Sequence, residues 1–416
     1  VTRSRRDTVA LLVAILLIGA NLRATITGVG PLLTDIGEDE GLPLAALGAL
    51  AAIPLLSFAA ISPLAHSLAM RFGLSRVVQA ALVALALGTV WRSVEGTALN
   101  LWCGTILIGA ALAIGNVLMP AVMTRDFPGR STGLAAVFTA VLGGVGALAA
   151  GAVVPLSHVV VGDGALGWRG ALLLTGILVP AAILAWHLAP RPRPLPAPST
   201  APAAPIAGAY ERGSIWRDRL AWWITAFMGL QSASFYILST WLAPYARSLG
   251  IDEVAAGGLV MTLQVSGIAG SLLVPVLVRT RVGAAVPATV ALVALVAVGG
   301  LLVAPQAVVA WSIVIGVAAG ASLSLSFVLL STRAKNHETA SALSGMVQSI
   351  GYLVAATGPV LFGVVRDATG QWAPAFLVLL GMLGAQAIAG LVVGRPDVVL
   401  SSRDPCPFPG GRRDRR

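Results

Sequence analysis

The stretch "PRPRPLPAPSTAPAAPIAGAYERG", residues 190–213, decides how this chain is organised. It is rich in proline and alanine and has no apolar periodicity, the composition of an extended connector rather than a packed element. Working outward from it, each side holds six long apolar runs. They lie at approximately 9–31, 42–64, 76–92, 99–122, 132–155 and 170–189 before it, and 218–243, 254–278, 284–304, 307–331, 340–365 and 373–394 after it. A helix of about 20 mostly apolar residues crosses the roughly 30 Å hydrocarbon core of a bilayer, so each run reads as one span.

Composition supports the same class. Of 416 residues, 57% are hydrophobic and 11% are charged, against about 25% charged in soluble domains. The expectation is an all-α membrane protein with twelve transmembrane helices in two pseudo-symmetric six-helix bundles. The first bundle is residues 1–189, the linker 190–216, the second bundle 217–395, and a basic, disordered cytoplasmic tail follows at 396–416. The lipid bilayer is then the principal partner, and a monomer is expected. Cys103 and Cys406 form neither a disulfide nor a metal pattern, so no metal and no cofactor are expected. The net charge of +10 gathers in short loops and tails with no interleaved aromatics, which argues against nucleic acid. The first run is too long for a secretory signal and lacks a small-residue cleavage site, so it reads as a retained helix.

Basic residues orient the spans. With a cytoplasmic N-terminus, cytoplasmic loops and tails hold 22 of the 27 Lys and Arg, whereas Arg92, Arg169, Arg247 and Arg366 fall in outer loops. Arg23 alone falls inside a span, and the first outer loop carries Asp35, Glu38, Asp39 and Glu40. This bias predicts a multi-pass protein of the cytoplasmic membrane with both termini inside.

The two halves also repeat each other. "GLPLAALGAL" (41–50) lies over "GIDEVAAGGL" (250–259), Pro31 over Pro244, "PLAHSLAMRFG" (63–73) over "PVLVRTRVG" (275–283), and Trp168 over Trp372. Their shared order favours duplication over chance similarity between apolar segments. Two parallel six-helix repeats predict alternating access by rocking, with a binding site between the halves at mid-depth.

The stretches "ANLRATITGVGPLL" (20–33), "AIGNVLMPAVMTRDFP" (113–128), "GLQSASFYILSTWLAPYARSLG" (229–250) and "SALSGMVQSIGYLVAATGPVLFGVVRDATGQW" (341–372) carry a family resemblance. The chain resembles the major facilitator superfamily, and within it the cyanate/2-nitroimidazole (CynX/NimT-type) transporter branch. The likeness runs from Ala20 to about Leu391. It implies a secondary transporter for a small molecule. The superfamily's Gly-x-x-x-Asp-Arg-x-Gly signature after the second helix is degenerate here as "HSLAMRFG" (66–73). Arg71 and Gly73 keep their places as gating residues, while His66 and Met70 replace the Gly and the Asp.

Arg23 is the leading site residue. It lies about 14 residues into its helix, roughly 21 Å along the axis, and shares a face with Thr27, Gly19 and Gly30. A guanidinium fork suits a carboxylate or another small oxyanion. A structural arginine held by carbonyls is the alternative, but no acidic residue sits in the middle of a span to neutralise it. Asn116, Gln231, Ser234, Tyr236, Gln264, Gln348 and Tyr352 are further polar groups at depth, each able to contact solute or to join helices. Asn21 and Thr25 point away from the Arg23 face and read as structural. Gly358-Pro359 in the eleventh run can act as a hinge in gating or simply as membrane-helix residues. "SLSLS" (322–326) reads as helix-packing serines.

The expected solute is a cyanate-like or carboxylated anion, with export of nitroimidazole-like or other toxic molecules as the alternative. Coupling is open between proton uptake with the solute, counter-anion exchange and facilitated diffusion, with a His66 proton relay as a fourth route. An enzyme is disfavoured because no His-x-x-x-His, Gly-x-Ser-x-Gly or paired carboxylates occur in the spans. A membrane sensor would need a soluble output domain, and neither linker nor tail has the length.

Overall fold

The structure is a computed structural model that describes residues 5–127, 130–162, 164–190, 215–280, 283–334, 337–396 and 398–400. Helix α1 (Arg5–Thr27) continues through a 3-10 turn at Gly30–Leu32 into α2 (Leu33–Glu40). Then come α3 (Leu44–Phe72), α4 (Leu74–Ser93), α5 (Ala98–Asp126) and α6 (Ser131–Ser157). A short antiparallel hairpin, β1 (Val160–Val161) with β2 (Gly164–Ala165), precedes α7 (Gly167–Leu174) and α8 (Val179–Leu188), which together make one membrane segment. The second half comprises α9 (Arg219–Ser248), α10 (Glu253–Leu277), α11 (Val286–Val303), α12 (Val308–Thr332), α13 (His337–Thr369) and α14 (Trp372–Val393).

Among the described residues, eleven segments are long and apolar enough to cross a membrane. The remaining long helix, α9, has 30 residues and is more polar, because it buries Gln231, Ser232, Ser234, Ser239 and Thr240. The twelve expected runs therefore correspond to helices within a few residues. The acidic 33–40 stretch departs from its expected loop. Leu33 and Ile36 bury one side of α2, and Asp35, Asp39 and Glu40 take arginine partners on the other.

Local chemistry sets several helix ends. Asp218 caps α9 by accepting from the backbone N–H groups of Leu220 and Ala221 at 2.7 and 3.0 Å. Asp252 caps α10 in the same way through Val254 and Ala255. Gly73, at φ +87°, turns the chain between α3 and α4 in a conformation that side chains rarely adopt. Within the second half, α10 and α12 touch backbone to backbone. A methyl group on Gly320 would stand 1.8 Å from the Gly267 carbonyl oxygen, and one on Gly270 would stand 1.9 Å from that of Val317. Small residues at such crossings let membrane helices gain close packing.

The halves meet through α3 with α13 and α6 with α10. Described polar contacts between them gather at one end. There Asp367 accepts from the Leu44 and Ala45 backbone N–H groups, Arg247 bridges Asp35 and Glu253, and His158 Nε2 lies 3.2 Å from Glu253. A methyl on Gly30 would sit 2.1 Å from Ser239 O, and one on Gly48 2.3 Å from Pro359 O. We call this the closed end. Helix α3 is buried or half-buried along 44–58 except at Leu56, then exposes Ala60, Leu64, Ser67 and Arg71 towards the opposite end.

That opposite end carries both termini of the described chain. Buried Val399 donates its N–H to Arg333 O, and Leu400 N–H donates to Asp218. Most of the expected linker (190–216) and tail (396–416) lies outside the described residues.

Candidate functional site

Arg23 sits where the halves meet. Gly146 of α6 makes room for its stem, since a methyl there would lie 3.0 Å from Arg23 Cγ. The guanidinium carbon stands 4.8 Å from the centre of the Phe235 ring on α9, a cation–π contact across the halves. Tyr236, the next residue of α9, and Tyr352 of α13 pack against one apolar cluster, mainly of the first half. Among the described residues Arg23 makes no ion pair. Tyr352 closes the group from α13, with Phe58 of α3 edge-on at 5.3 Å.

The other expected residues divide by what their polar atoms already do. Thr27 donates to Gly146 O at 2.8 Å with Arg23 O as a longer second acceptor, tying α1 to α6. Gln231 gives its amide to Ser232 Oγ at 2.8 Å, and Ser234 donates to Leu230 O one turn back. Both line a second cavity within the C-terminal half, where Gln386 donates to Ser322 at 3.1 Å. Gln348 turns to Ser344 at 3.1 Å. Asn116 is exposed on α5, in a stripe with Pro120 and Thr124. Gln264 is buried on α10 with its Nε2 unpartnered. Seven residues earlier on the same helix, Gly257 faces Val154 and Ala150 of α6.

The residues expected to act in gating also have defined places. Arg71 is exposed and lies over the Phe72 ring at 5.2 Å, beside the Gly73 turn. Gly358 packs on Ala233 of α9, and Pro359 O accepts from Trp241 Nε1 at 3.1 Å. Helix α13 runs unbroken through both. The side chain of His66 lies outside what is described.

Arg92 corrects the charge count. It was assigned to an outer loop, but it is 1% exposed in the last turn of α4 and donates through Nη1 to Thr25 O at 2.8 Å. Gly104 of α5 allows this, because a methyl there would meet the Arg92 backbone N at 2.5 Å. Arg23 is therefore not the sole cation within the bundle. The signal was present: 20 residues counted from Leu74 reach Ser93 and include Arg92. A small cavity, of a size to hold a water molecule or a small ion, lies between α1, α3, α4, α5 and α9, lined by Arg92, Thr25, Thr105, Tyr236 and Thr240 among others.

Asn21 and Thr25, read as structural, are both buried. Asn21 donates to Leu17 O within α1, and the Thr25 carbonyl receives Arg92.

Comparison with known proteins places this geometry. Residues 11–356 match the Major Facilitator Superfamily. The chain is 36% identical over 393 residues to the 2-nitroimidazole transporter of Escherichia coli (strain K12), covering 94% of this chain and 97% of that protein. It is 24% identical over 380 residues to the cyanate transport protein CynX of the same organism, covering 90% and 95%. Among solved structures, an inward-facing, unoccupied bacterial homolog of the human lysosomal transporter Spinster superposes with a TM-score of 0.75 at 15% identity, covering 94% and 96%. With eleven membrane-length segments and the long α9 in the expected order among the described residues, and a family match over most of its length, the chain belongs to the Major Facilitator Superfamily, as a multi-pass membrane transporter of the CynX/NimT-type branch.

Proposed function

We propose that this transporter moves a small, planar, anionic or polar solute, cyanate-like or carboxylated, by rocking of residues 1–189 against 217–395. The observation that carries the reading is Arg23. Its guanidinium lies between the halves against the Phe235 ring, with no carboxylate partner among the described residues. Charge-assisted bonds to such a fork are roughly twice as strong as neutral ones, and the planar geometry selects planar oxyanions. A solute held by Arg23 on one half and by the aromatic group on the other has different contacts in each conformation. That difference is what lets a ligand shift the equilibrium between them.

We place both termini on the cytoplasmic side and the protein in the cytoplasmic membrane. The closed end then faces outward, and the arrangement is an inward-facing one. The unpartnered amide of Gln264 is the next group in line for the solute, whereas Thr27, Gln231, Ser234 and Gln348 serve mainly as links to the neighbours described above. Asn116 borders the approach. Arg71, Gly73, Gly358 and Pro359 act in gating through packing and turn geometry.

A second reading has its own support. The 36%-identical relative is a 2-nitroimidazole transporter, and a nitro group presents two oxygens to a guanidinium while its ring suits aromatic neighbours. Export of such molecules uses the same residues in the reverse direction.

Uptake into proteoliposomes tests the site. Losing a hydrogen bond to a charged group costs about 1.5–3 kcal/mol, so Arg23→Gln should raise the half-saturating anion concentration roughly 10- to 150-fold. Arg23→Lys should restore part of this. Unchanged kinetics in Arg23→Gln would remove Arg23 from the site. An ionophore that collapses the pH gradient should abolish accumulation if the solute carries a proton and leave counter-anion exchange intact.

A further inference from the structure

Arg92 presents a problem that its contact with Thr25 does not solve. The side chain is 1% exposed, and one nitrogen, Nη1, reaches a carbonyl near the end of α1. A cation there complements the C-terminal end of that helix. Two further donors, Nε and Nη2, are buried without an acceptor. None of the cavity-lining residues is acidic, so the charge has no counter-ion of the chain's own in that space. A buried charge with unmade hydrogen bonds is among the costliest groups a fold can hold.

The walls supply more donors and nothing to repel an anion. Thr25 Oγ1 is buried without a partner. Tyr236 and Thr240 line the same space from α9. The Thr105 hydroxyl is already committed to Leu101 O at 2.7 Å. Arg23 stands two residues before Thr25 on α1, about 200° around the helix, and is not part of this lining.

We infer that the cavity between α1, α4, α5 and α9 is a second anion site in which Arg92 binds a small monovalent anion, a halide or a nitrate- or carboxylate-sized oxyanion. The site stands on its own residues, whether or not Arg23 takes the transported solute. An anion held there joins Arg92 and Thr25 of the first half to Tyr236 and Thr240 of the second, and so strengthens the closed end.

The test uses the full-length protein purified in detergent in halide-free buffer. Thermal unfolding is followed as sodium bromide replaces sodium gluconate at constant ionic strength. In the Arg23→Gln background bromide should still raise the unfolding temperature by several degrees. Adding Arg92→Gln, or Thr25→Val if the arginine variant does not fold, should reduce that rise by more than half. Crystals grown in bromide should show anomalous density in contact with Arg92. The absence of a bromide effect in Arg23→Gln, an effect unchanged by both second-site variants, or bromide density elsewhere only would each overturn the inference.

Discussion

The Asp367 contact is the part of the closed end whose strength follows most directly from its geometry. Asp367 lies in the last turns of α13 and accepts from the backbone N–H groups of Leu44 at 3.2 Å and Ala45 at 2.7 Å. Pro43, the residue before α3, offers no side-chain cap. A carboxylate from the other half therefore serves as the N-cap of α3. Removing an N-cap costs about 0.5–2 kcal/mol, and the charge at a helix N-terminus contributes about 0.3–1 kcal/mol. Because opening this end separates α3 from α13, either loss falls on the closed state alone. Asp367→Ala should shift the closed-to-open ratio roughly 2- to 30-fold, and Asp367→Asn, which keeps an acceptor oxygen, roughly 2- to 5-fold. Nitroxides at Val94 and Leu249, one on each half, read that ratio by pulsed EPR once Cys103 and Cys406 have been replaced by serine. The wider-distance population should grow in the order wild type, Asn, Ala. A folded Asp367→Ala protein with the wild-type distance distribution would refute the idea that this cap helps to hold the end shut.

Two packing predictions test other joints. Gly146→Ala places a methyl 3.0 Å from Arg23 Cγ, so it should raise the half-saturating solute concentration several-fold with little change in unfolding temperature; Gly146→Val should do more, and a wild-type transport curve for Gly146→Val would count against a positioned Arg23. Gly320→Ala drives a methyl to 1.8 Å from a backbone oxygen, which cannot swing aside, so about 1–3 kcal/mol or more of overpacking should appear as a clear loss of thermal stability, whereas Gly381→Ala, with open space around it, should be neutral in the same melt.

The span map was legible because hydrocarbon thickness imposes a length that no other element in the chain imitates. Helix α9 shows where hydropathy alone falls short. Its polar residues lower its mean, but it is the helix that reaches both Arg23, through Phe235, and the Arg92 cavity, through Tyr236 and Thr240. The α2 stretch misled in the opposite sense. Four acids in six residues look like a solvated loop, and only the arginines at 169 and 247, distant in sequence, turn them into the paired face of a helix. The partners of Thr27, Ser234 and Gln348 were hidden for a related reason. Whether a hydroxyl or amide joins helices or waits for a solute depends on carbonyls and hydroxyls that hydropathy does not weigh.

Arg92 was missed by a rule that otherwise worked. Counting basic residues by loop asks only on which side of the bilayer a charge lies, and Arg92 satisfies that count whether it faces water or the protein interior. The deciding quantity is what surrounds it, and Gly104 controls that by letting the last turn of α4 press against α5. The consequence reaches beyond topology. With one cation inside the spans, the absence of embedded acids pointed simply to an anionic solute at Arg23. With two, on opposite faces of α1 and both facing α9, two arginines lie where the halves meet, and no described carboxylate pairs with either. A transporter built this way has a reason to favour states in which anions lie between its halves.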